Sequence, residues 1–186
     1  MEKFHKNKKE VERVLAEESY TVWRETMVLK PIYSERGERW TIVHELYKKR
    51  MIKLSPRAIM ERSCVHAGAS YQGMVDAAKL ILPGKKMLPI CLSPGYRICM
   101  LPTLSPDHED CMWISYRYAK KPFLKGSKTM VEFQNREQIE IHGSVESFQL
   151  KSGHAQQLVL NYLDRQEEMW ELPVYVAESY EGYDVY

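Results

Sequence analysis

The strongest constraint on the fold is the density of chain-breaking residues in the middle of the sequence. Residues 56–106 contain four glycines and six prolines. The apolar runs among and after them are short, as in residues 87–92, 96–102 and 113–119. Because glycine and proline interrupt regular structure and favour turns, this pattern predicts short strands joined by turns.

The segments before this region predict further strands. Residues 21–30, 39–45 and 50–54 are rich in apolar and β-branched side chains. The first strand is expected to end at Pro31, because the residue before a proline is restricted. The stretch from Ser34 to Gly37 is expected to form a turn.

Later in the chain, the pattern predicts a hairpin. Residues 128–134 and 137–142 alternate polar and apolar side chains, as half-buried strands do. Asn135-Arg136 lies between the two segments and suits a tight turn.

Three segments have the spacing of amphipathic helices. Residues 6–18 predict a short helix, and residues 70–82 predict a second one, capped by Ser70 and ended by Pro83-Gly84. A longer helix is expected to start at Ser144 and to be interrupted at Gly153. Its face would carry Phe148, Leu150, His154, Leu158, Val159, Tyr162 and Leu163.

These elements predict an α+β fold. We expect a single domain with a central, mostly antiparallel sheet of short strands, a short middle helix and a late amphipathic helix. The expected organisation is a basic helical segment over residues 1–18, a core domain over residues 19–168 and an acidic aromatic tail over residues 169–186.

Composition narrows the class of protein. No apolar stretch is long enough to cross a membrane, and the charged N-terminus does not resemble a signal peptide. We therefore expect a cytoplasmic protein whose four cysteines are free thiols, with Cys91 and Cys99 as small core residues.

The charge is unevenly distributed along the chain. Residues 1–130 hold 24 Lys and Arg against 14 Asp and Glu, a balance of +10. Residues 131–186 hold 3 against 11, a balance of −8. This asymmetry suggests that residues 1–130 bind an anionic partner, although a basic surface that only contacts solvent would have the same composition.

The sequence contains no motif typical of a common enzyme class. There is no GxSxG, Walker loop, HExxH or GxGxxG after a strand. Cys64 and His66 with His108 and Cys111 could form a tetrahedral set of zinc ligands. However, only one residue separates Cys64 from His66, which is fewer than is usual between paired zinc ligands. Cys64 with a histidine could also form a nucleophilic pair. The main prediction is that the protein is not an enzyme and needs no metal or cofactor.

Basic residues beside aromatic or small ones favour nucleic-acid binding. They occur in the middle region, where such side chains can neutralise phosphates from strand ends and loops. The candidate DNA contacts are Arg62, Lys85, Lys86, Arg97, Arg117, Lys120, Lys121 and Lys125. Of these, Lys85 and Lys86 are expected to contact phosphates, Arg117 to end a strand that begins at Trp113, and Lys120 to Lys125 to form a loop.

Four ordered blocks resemble the ComK family of competence transcription factors. They are Arg62-Ser63-Cys64, the segment from Gly68 to Gly73, the segment from Leu101 to Ser105, and the segment from Cys111 to Ser115. Leu101 replaces the family's aromatic residue, and Ala69 replaces a serine. The resemblance covers about residues 18–166.

The resemblance implies a transcription activator of DNA-uptake genes. Such a protein would bind double-stranded DNA at paired A-tract and T-tract promoter boxes, largely through the minor groove, as a dimer or higher oligomer associated with the nucleoid. The resemblance also implies control by a proteolytic adaptor and its protease. The adaptor motif would correspond to Met169, Trp170, Leu172 and Pro173, interrupted by Glu171.

Two other functions remain open on the sequence. One is a β-rich protein-interaction or regulatory domain that does not contact DNA. The other is the small thiol or zinc enzyme considered above.

Overall fold

The computed structural model describes residues 16–171. The strands are β1 (Thr26–Tyr33), β2 (Arg39–Glu45), β3 (Lys49–Ile52), β4 (Ile90–Ser93), β5 (Ile98–Pro102), β6 (Trp113–Ser115), β7 (Phe123–Lys125), β8 (Lys128–Glu132) and β9 (Gln138–Ile141). The helices are α1 (Pro56–His66), α2 (Tyr71–Ile81) and α3 (Val145–Glu171).

Two antiparallel sheets form the framework. The larger has the strand order β3-β2-β1-β6-β5-β4, and the smaller has the order β7-β8-β9. The predicted α+β single domain with a central antiparallel sheet is therefore confirmed. The separate small sheet was not predicted.

Each face of the larger sheet is covered by its own apolar core. On one face, Leu29 and Trp113 are register partners and pack with α1 through Ile59 and Met60. The opposite face carries a second core, to which the register partners Val28 and Ile114 contribute with Leu101. That core is completed by α3 and the small sheet, through Phe133, Val131, Leu158 and Val159. Because successive strand residues alternate between faces, both cores come from the same short strands.

Helix α1 was missed in the sequence. The side chain of Ser55 accepts a hydrogen bond from the N–H of Ala58 across 3.2 Å, and Pro56 occupies the first helical position. The buried face carries Ile59, Met60, Ser63 and Cys64 at helical spacing. Two of these four residues, Ser63 and Cys64, are not typical apolar residues, so the sequence does not show a clear helical period of apolar side chains. The Ser55-Pro56 start is the feature of the sequence that could have indicated this helix.

The other two helices largely match the sequence expectation. Ser70 caps α2 by accepting from the N–H of Gly73 across 3.0 Å, as predicted. Ser144 likewise accepts from the N–H of Ser147 across 3.1 Å at the start of α3. The predicted interruption at Gly153 is wrong, since α3 continues through it. Leu150 was assigned to the buried face but is 60% exposed.

The first strand differs from its prediction. It begins at Thr26 instead of residue 21, and it continues through Pro31 to Tyr33. Only Val28 and Leu29 pair with β6, so β1 has a single neighbouring strand at Pro31. A proline is tolerated there because its missing N–H is not needed by a second neighbour.

Two predictions around the small sheet are also corrected. Strand β6 ends at Ser115, and Arg117 lies in the following turn, where the N–H of Tyr118 donates to the carbonyl of Ser115 across 3.3 Å. The expected loop over residues 120–125 contains strand β7, which pairs with β8. The predicted hairpin around Asn135-Arg136 is confirmed as β8–β9.

The predicted elements at the two ends of the described region differ from the observed ones. The N–H of Glu17 donates to the carbonyl of Met51 across 2.8 Å in a bridge beside β3, so the predicted helix over residues 6–18 does not include Glu17. Ala16 and Glu18 are not helical either, while residues 6–15 of the predicted helix and residues 172–186 of the predicted tail lie outside the described residues. Helix α3 extends to Glu171, past the expected boundary at residue 168. No helix of residues 16–171 is long and apolar enough to cross a membrane.

Candidate nucleic-acid interface

The antiparallel strand order brings four distant segments to one end of the larger sheet. These segments are the start of β1, the β2–β3 turn, the β4–β5 turn and the turn after β6. Each contains an aromatic residue directly before a basic one. The pairs are Trp23-Arg24, Tyr47-Lys48, Tyr96-Arg97 and Tyr116-Arg117, and we call this surface the basic end.

Most side chains of the basic end are exposed, whereas Tyr116 is half-buried. Tyr47 is 81% exposed, Tyr96 is 65% exposed and Trp23 is 40% exposed. The four basic residues are exposed as well. An exposed aromatic ring beside a cation can contact both a sugar or base and the adjacent phosphate, so the residue types suit a nucleic acid.

Hydrogen bonds connect the segments into one surface. The Nη1 atom of Arg117 donates to the carbonyl oxygen of Tyr96 across 2.9 Å, and its guanidinium lies 5.5 Å from the centre of the Tyr118 ring. The hydroxyl of Tyr118 donates to the carbonyl oxygen of Arg24 across 2.6 Å. Three of the four aromatic–basic pairs are therefore held in fixed relation to one another.

The small sheet extends this surface. The N–H of Leu46, in the β2–β3 turn, donates to the carbonyl of Glu25 across 3.0 Å, and the amide of Asn135 lies 3.5 Å from the carbonyl oxygen of Leu46. The next residue, Arg136, is exposed and has a φ of 68°. The β8–β9 turn thus adds one more cation beside Lys48.

The turn that carries Arg97 holds this residue in an uncommon conformation. Its φ is 54°, and its N–H donates to the carbonyl of Pro94 across 2.8 Å to close the β4–β5 turn. A left-handed backbone disfavours residues other than glycine, asparagine and aspartate. An arginine is kept here at a conformational cost, which is typical of functional sites.

Most carboxylates near the basic end are neutralised. Glu45 is buried and accepts from both Arg50 and Trp23, and Glu137 lies 2.6 Å from the Nζ atom of Lys49. Within residues 16–171, Glu25 is the carboxylate of these strand ends that has no ion-pair partner. The surface therefore keeps a positive excess.

The opposite end of the sheet has a different charge pattern. The β1–β2 turn and the β5–β6 loop meet there, and the hydroxyl of Tyr33 donates to Glu109 across 2.9 Å. These two loops expose five carboxylates, Glu35, Glu38, Asp107, Glu109 and Asp110. Asp107 lies 3.6 Å from Arg57, and the β1–β2 turn also exposes Arg36, but the carboxylates of these two loops still outnumber the cations. An anion would therefore meet less favourable electrostatics at these loops than at the basic end.

A buried histidine supports the junction between the two sheets. His44 is 6% exposed, and its Nδ1 atom lies 3.0 Å from the carboxylate of Glu137. Burial lowers the pKa of His44, although Glu137 opposes this shift. Burial alone would raise the pKa of Glu137, but the hydrogen bonds from Lys49 and His44 outweigh it and lower the pKa.

The structure brings together only part of the predicted contact set. Arg97 and Arg117 meet at the basic end, and Lys120 and Lys121 lie just before β7 of the adjoining small sheet. Lys125 is the last residue of β7, at the far tip of that sheet, where it pairs with Lys128.

The remaining three predicted contacts lie elsewhere. Lys85 and Lys86 lie between α2 and β4, at the opposite end of the larger sheet. Arg62 lies on α1 and lines a pocket beside Trp23.

Ion pairing separates these candidates further. Lys120 lies 2.6 Å from the carboxylate of Glu132, so its charge is partly compensated. In the described part of the chain, the other seven predicted contacts form no ion pair.

Three basic residues of this surface were not predicted. They are Arg24, Lys48 and Arg136. Arg24 and Lys48 each directly follow an aromatic residue, which is the same local signal as at Arg97 and Arg117. The sequence prediction considered aromatic–basic pairs only in the middle of the chain, so it did not include Trp23-Arg24 and Tyr47-Lys48. Arg136 was assigned only to the turn.

The thiol and zinc alternatives receive no support from the geometry. Cys64 is fully buried, and burial raises its pKa to about 11, the reverse of what an activated thiolate needs. The thiol of Cys111 is also buried and donates to the carbonyl of Leu104 across 3.4 Å. Among residues 16–171, no three His, Cys, Asp or Glu side chains are grouped so that they could hold a metal ion. All four cysteines are free and buried.

Comparison with known proteins relates the chain to a family. A family model described as ComK protein matches residues 17–167. The chain is also similar to the competence transcription factor of Bacillus subtilis (strain 168), with 30% identity over 99 residues. That alignment covers 53% of this chain and 52% of the relative, so it spans about half the length of each. No solved structure matches the chain.

Proposed function

Because the chain belongs to the ComK protein family, we propose that it is a transcription activator of competence genes that binds double-stranded DNA through the basic end. The observation that carries this proposal is the convergence of four aromatic–basic pairs from distant segments on one end of the sheet.

The proposed DNA site is the A-tract and T-tract box that the family resemblance implies. A-tracts have a narrow minor groove with a strong negative potential, which attracts inserted arginine side chains. Arg97 and Arg117 are exposed residues of turns, and turns can enter a narrow groove without a recognition helix. Arg24, Lys48, Lys120 and Lys121 would then contact the flanking phosphates.

We also propose that the protein forms oligomers and is regulated by a proteolytic adaptor, as the family resemblance implies. A target with two boxes calls for a dimer or larger oligomer, since symmetric sites match symmetric proteins. The protein would act in the cytoplasm on the nucleoid. For adaptor control, Met169 is 73% exposed and available, while Leu172 and Pro173 lie outside the described residues.

A binding titration with two duplexes tests the function. One duplex contains spaced A-tracts and T-tracts, and the other has the same length and composition with the tracts scrambled. We expect tighter binding to the first, with an affinity that falls steeply between about 50 and about 200 mM salt because bound phosphates release counterions.

Two results would count against this function. Equal affinity for both duplexes would remove the A/T-tract reading. An absence of duplex binding in low salt would instead favour the protein-interaction domain without DNA contact.

A further inference from the structure

A pocket lies beside the basic end, between the segment before β1 and helix α1. It has a volume of about 300 Å³. Its lining consists of Ser19, Tyr20, Thr21, Trp23, Arg50 and Arg62. Trp23 directly precedes Arg24, so the pocket is continuous with the basic end.

The pocket wall is rigid. The N–H of Val22 donates to the hydroxyl of Ser63 on α1 across 2.8 Å, and the indole N–H of Trp23 donates to the carboxylate of Glu45 across 2.7 Å. The hydroxyl of Tyr20 donates to the same carboxylate across 2.9 Å. A wall fixed at three points can hold donors in place before a ligand arrives, which lowers the entropic cost of binding.

The donors that face the pocket are not all used by the protein. Arg50 engages Glu45 through Nε and Glu17 through Nη1, which leaves its Nη2 group available. Arg62 is exposed and forms no ion pair within residues 16–171. In the same described region, the hydroxyls of Ser19 and Thr21 form no hydrogen bond.

One cation of the pocket has no ion-pair partner in the described part of the chain. The positive charge of Arg50 is compensated by Glu45 and Glu17, and the Glu45 side chain is fully buried. Arg62 is therefore the cation in the pocket that lacks a counter-charge. Guanidinium groups bind phosphate through paired N–H donors, and hydroxyls complete such sites.

We propose that this pocket binds a phosphate group, supplied by the DNA backbone or by a free nucleotide, with Arg62 as its main ligand. In its DNA form the proposal rests on the function proposed above. A duplex lying on the basic end would extend past Arg24 to the pocket, where one backbone phosphate contacts Arg62.

Two substitutions in the full-length protein test the DNA form. Arg62→Ala is compared with Arg36→Ala, which removes an exposed arginine from the β1–β2 turn at the opposite end of the sheet. We expect Arg62→Ala to weaken duplex binding about tenfold and to lower the magnitude of the salt slope by about 1. Arg36→Ala should leave both quantities unchanged.

Tryptophan fluorescence tests the pocket without DNA. Inorganic phosphate and a deoxynucleoside monophosphate are titrated into the wild type, Arg62→Ala and Trp23→Phe. If the fluorescence of the wild type changes saturably with phosphate or the nucleotide, and both variants lose this change, the pocket binds free phosphate compounds. A response to duplex alone, also lost in both variants, assigns it to the DNA backbone.

The outcomes separate the two proposals. Unchanged duplex affinity and salt slope in Arg62→Ala, with no response to phosphate, would overturn the pocket and leave the DNA function standing. A wild type that responds to phosphate but binds no duplex would retain the pocket and overturn the DNA function.

Discussion

The guanidinium of Arg117 donates a hydrogen bond to the carbonyl oxygen of Tyr96 across 2.9 Å, although 21 residues separate them. This contact joins the turn after β6 to the β4–β5 turn. It places Arg97 beside Arg117, so that two basic residues from different turns act on one surface.

The basic end, and not the opposite end of the sheet, should carry DNA binding. Arg24→Ala and Lys48→Ala should each weaken duplex binding about tenfold, because each removes a phosphate contact from this surface. The Lys85→Ala, Lys86→Ala double variant changes the opposite end and should have little effect. Fluorescence anisotropy with a labelled duplex measures all three. A larger loss in the double variant would assign the interface to the opposite end.

Replacing Arg97 by glycine should stabilise the fold but weaken DNA binding. Its φ of 54° disfavours an arginine, and a glycine has no such restriction. Arg97→Gly should therefore raise the free energy of unfolding by about 1 kcal/mol, measured by denaturant titration. The same variant should weaken duplex binding, because it removes a groove or phosphate contact.

The control for this prediction is Arg136→Gly. It relieves the same conformation in the β8–β9 turn, where φ is 68°. It should give a similar gain in stability with a smaller loss of binding, since Arg136 lies at the margin of the basic end. A loss of stability in Arg97→Gly would contradict the interpretation.

Glu45 should contribute strongly to the stability of the fold at the strand end beside Trp23. Its side chain is fully buried and accepts hydrogen bonds from Tyr20, Trp23 and Arg50. Glu45→Ala should lower the free energy of unfolding by about 3–5 kcal/mol, because it leaves buried donors without an acceptor. Glu38→Ala, which alters an exposed carboxylate, provides the comparison and should cost little. A small effect at Glu45 would show that these donors find water.

Stability should fall on mild acidification because of His44. Burial lowers the pKa of His44 below its ordinary value of 6.5, so the unfolded chain takes up a proton more readily than the folded one. The stabilising contribution is present above 6.5 and is lost as the pH falls below that value. Denaturant titrations at about pH 8 and about pH 6 measure the loss.

The variant His44→Gln tests the assignment of this pH dependence. It should flatten the dependence over that interval, whereas His66→Gln, on the exposed side of α1, should not. Glu137 adds a separate dependence at lower pH, since its pKa is lowered in the folded chain and its contribution is lost as the carboxylate is protonated.

The cysteines should be unreactive in the folded protein. Burial raises the pKa of Cys64 to about 11 and also raises the pKa of Cys99 and Cys111. A thiol-specific disulfide reagent should therefore label all four cysteines slowly in buffer and rapidly in denaturant. Rapid labelling of Cys64 in the folded chain would restore the thiol-enzyme alternative.

The sequence determined the elements whose signals are local. The Ser70 cap with the Pro83-Gly84 stop located α2, and alternation with a tight turn located the β8–β9 hairpin. These signals lie within a few residues of one another, so one sequence is enough to recognise them. The four family blocks were also readable without a structure, because they are runs of consecutive residues.

Which of these residues lie together depends on long-range packing. Trp23-Arg24 and Tyr116-Arg117 are more than 90 residues apart, and the hydrogen bond from Tyr118 to the carbonyl of Arg24 joins them. Their proximity depends on the order of the strands and on their antiparallel register, which long-range packing sets and local propensity does not. The same strand order placed Lys85 and Lys86 at the opposite end of the sheet from Arg97, although all three are close in sequence.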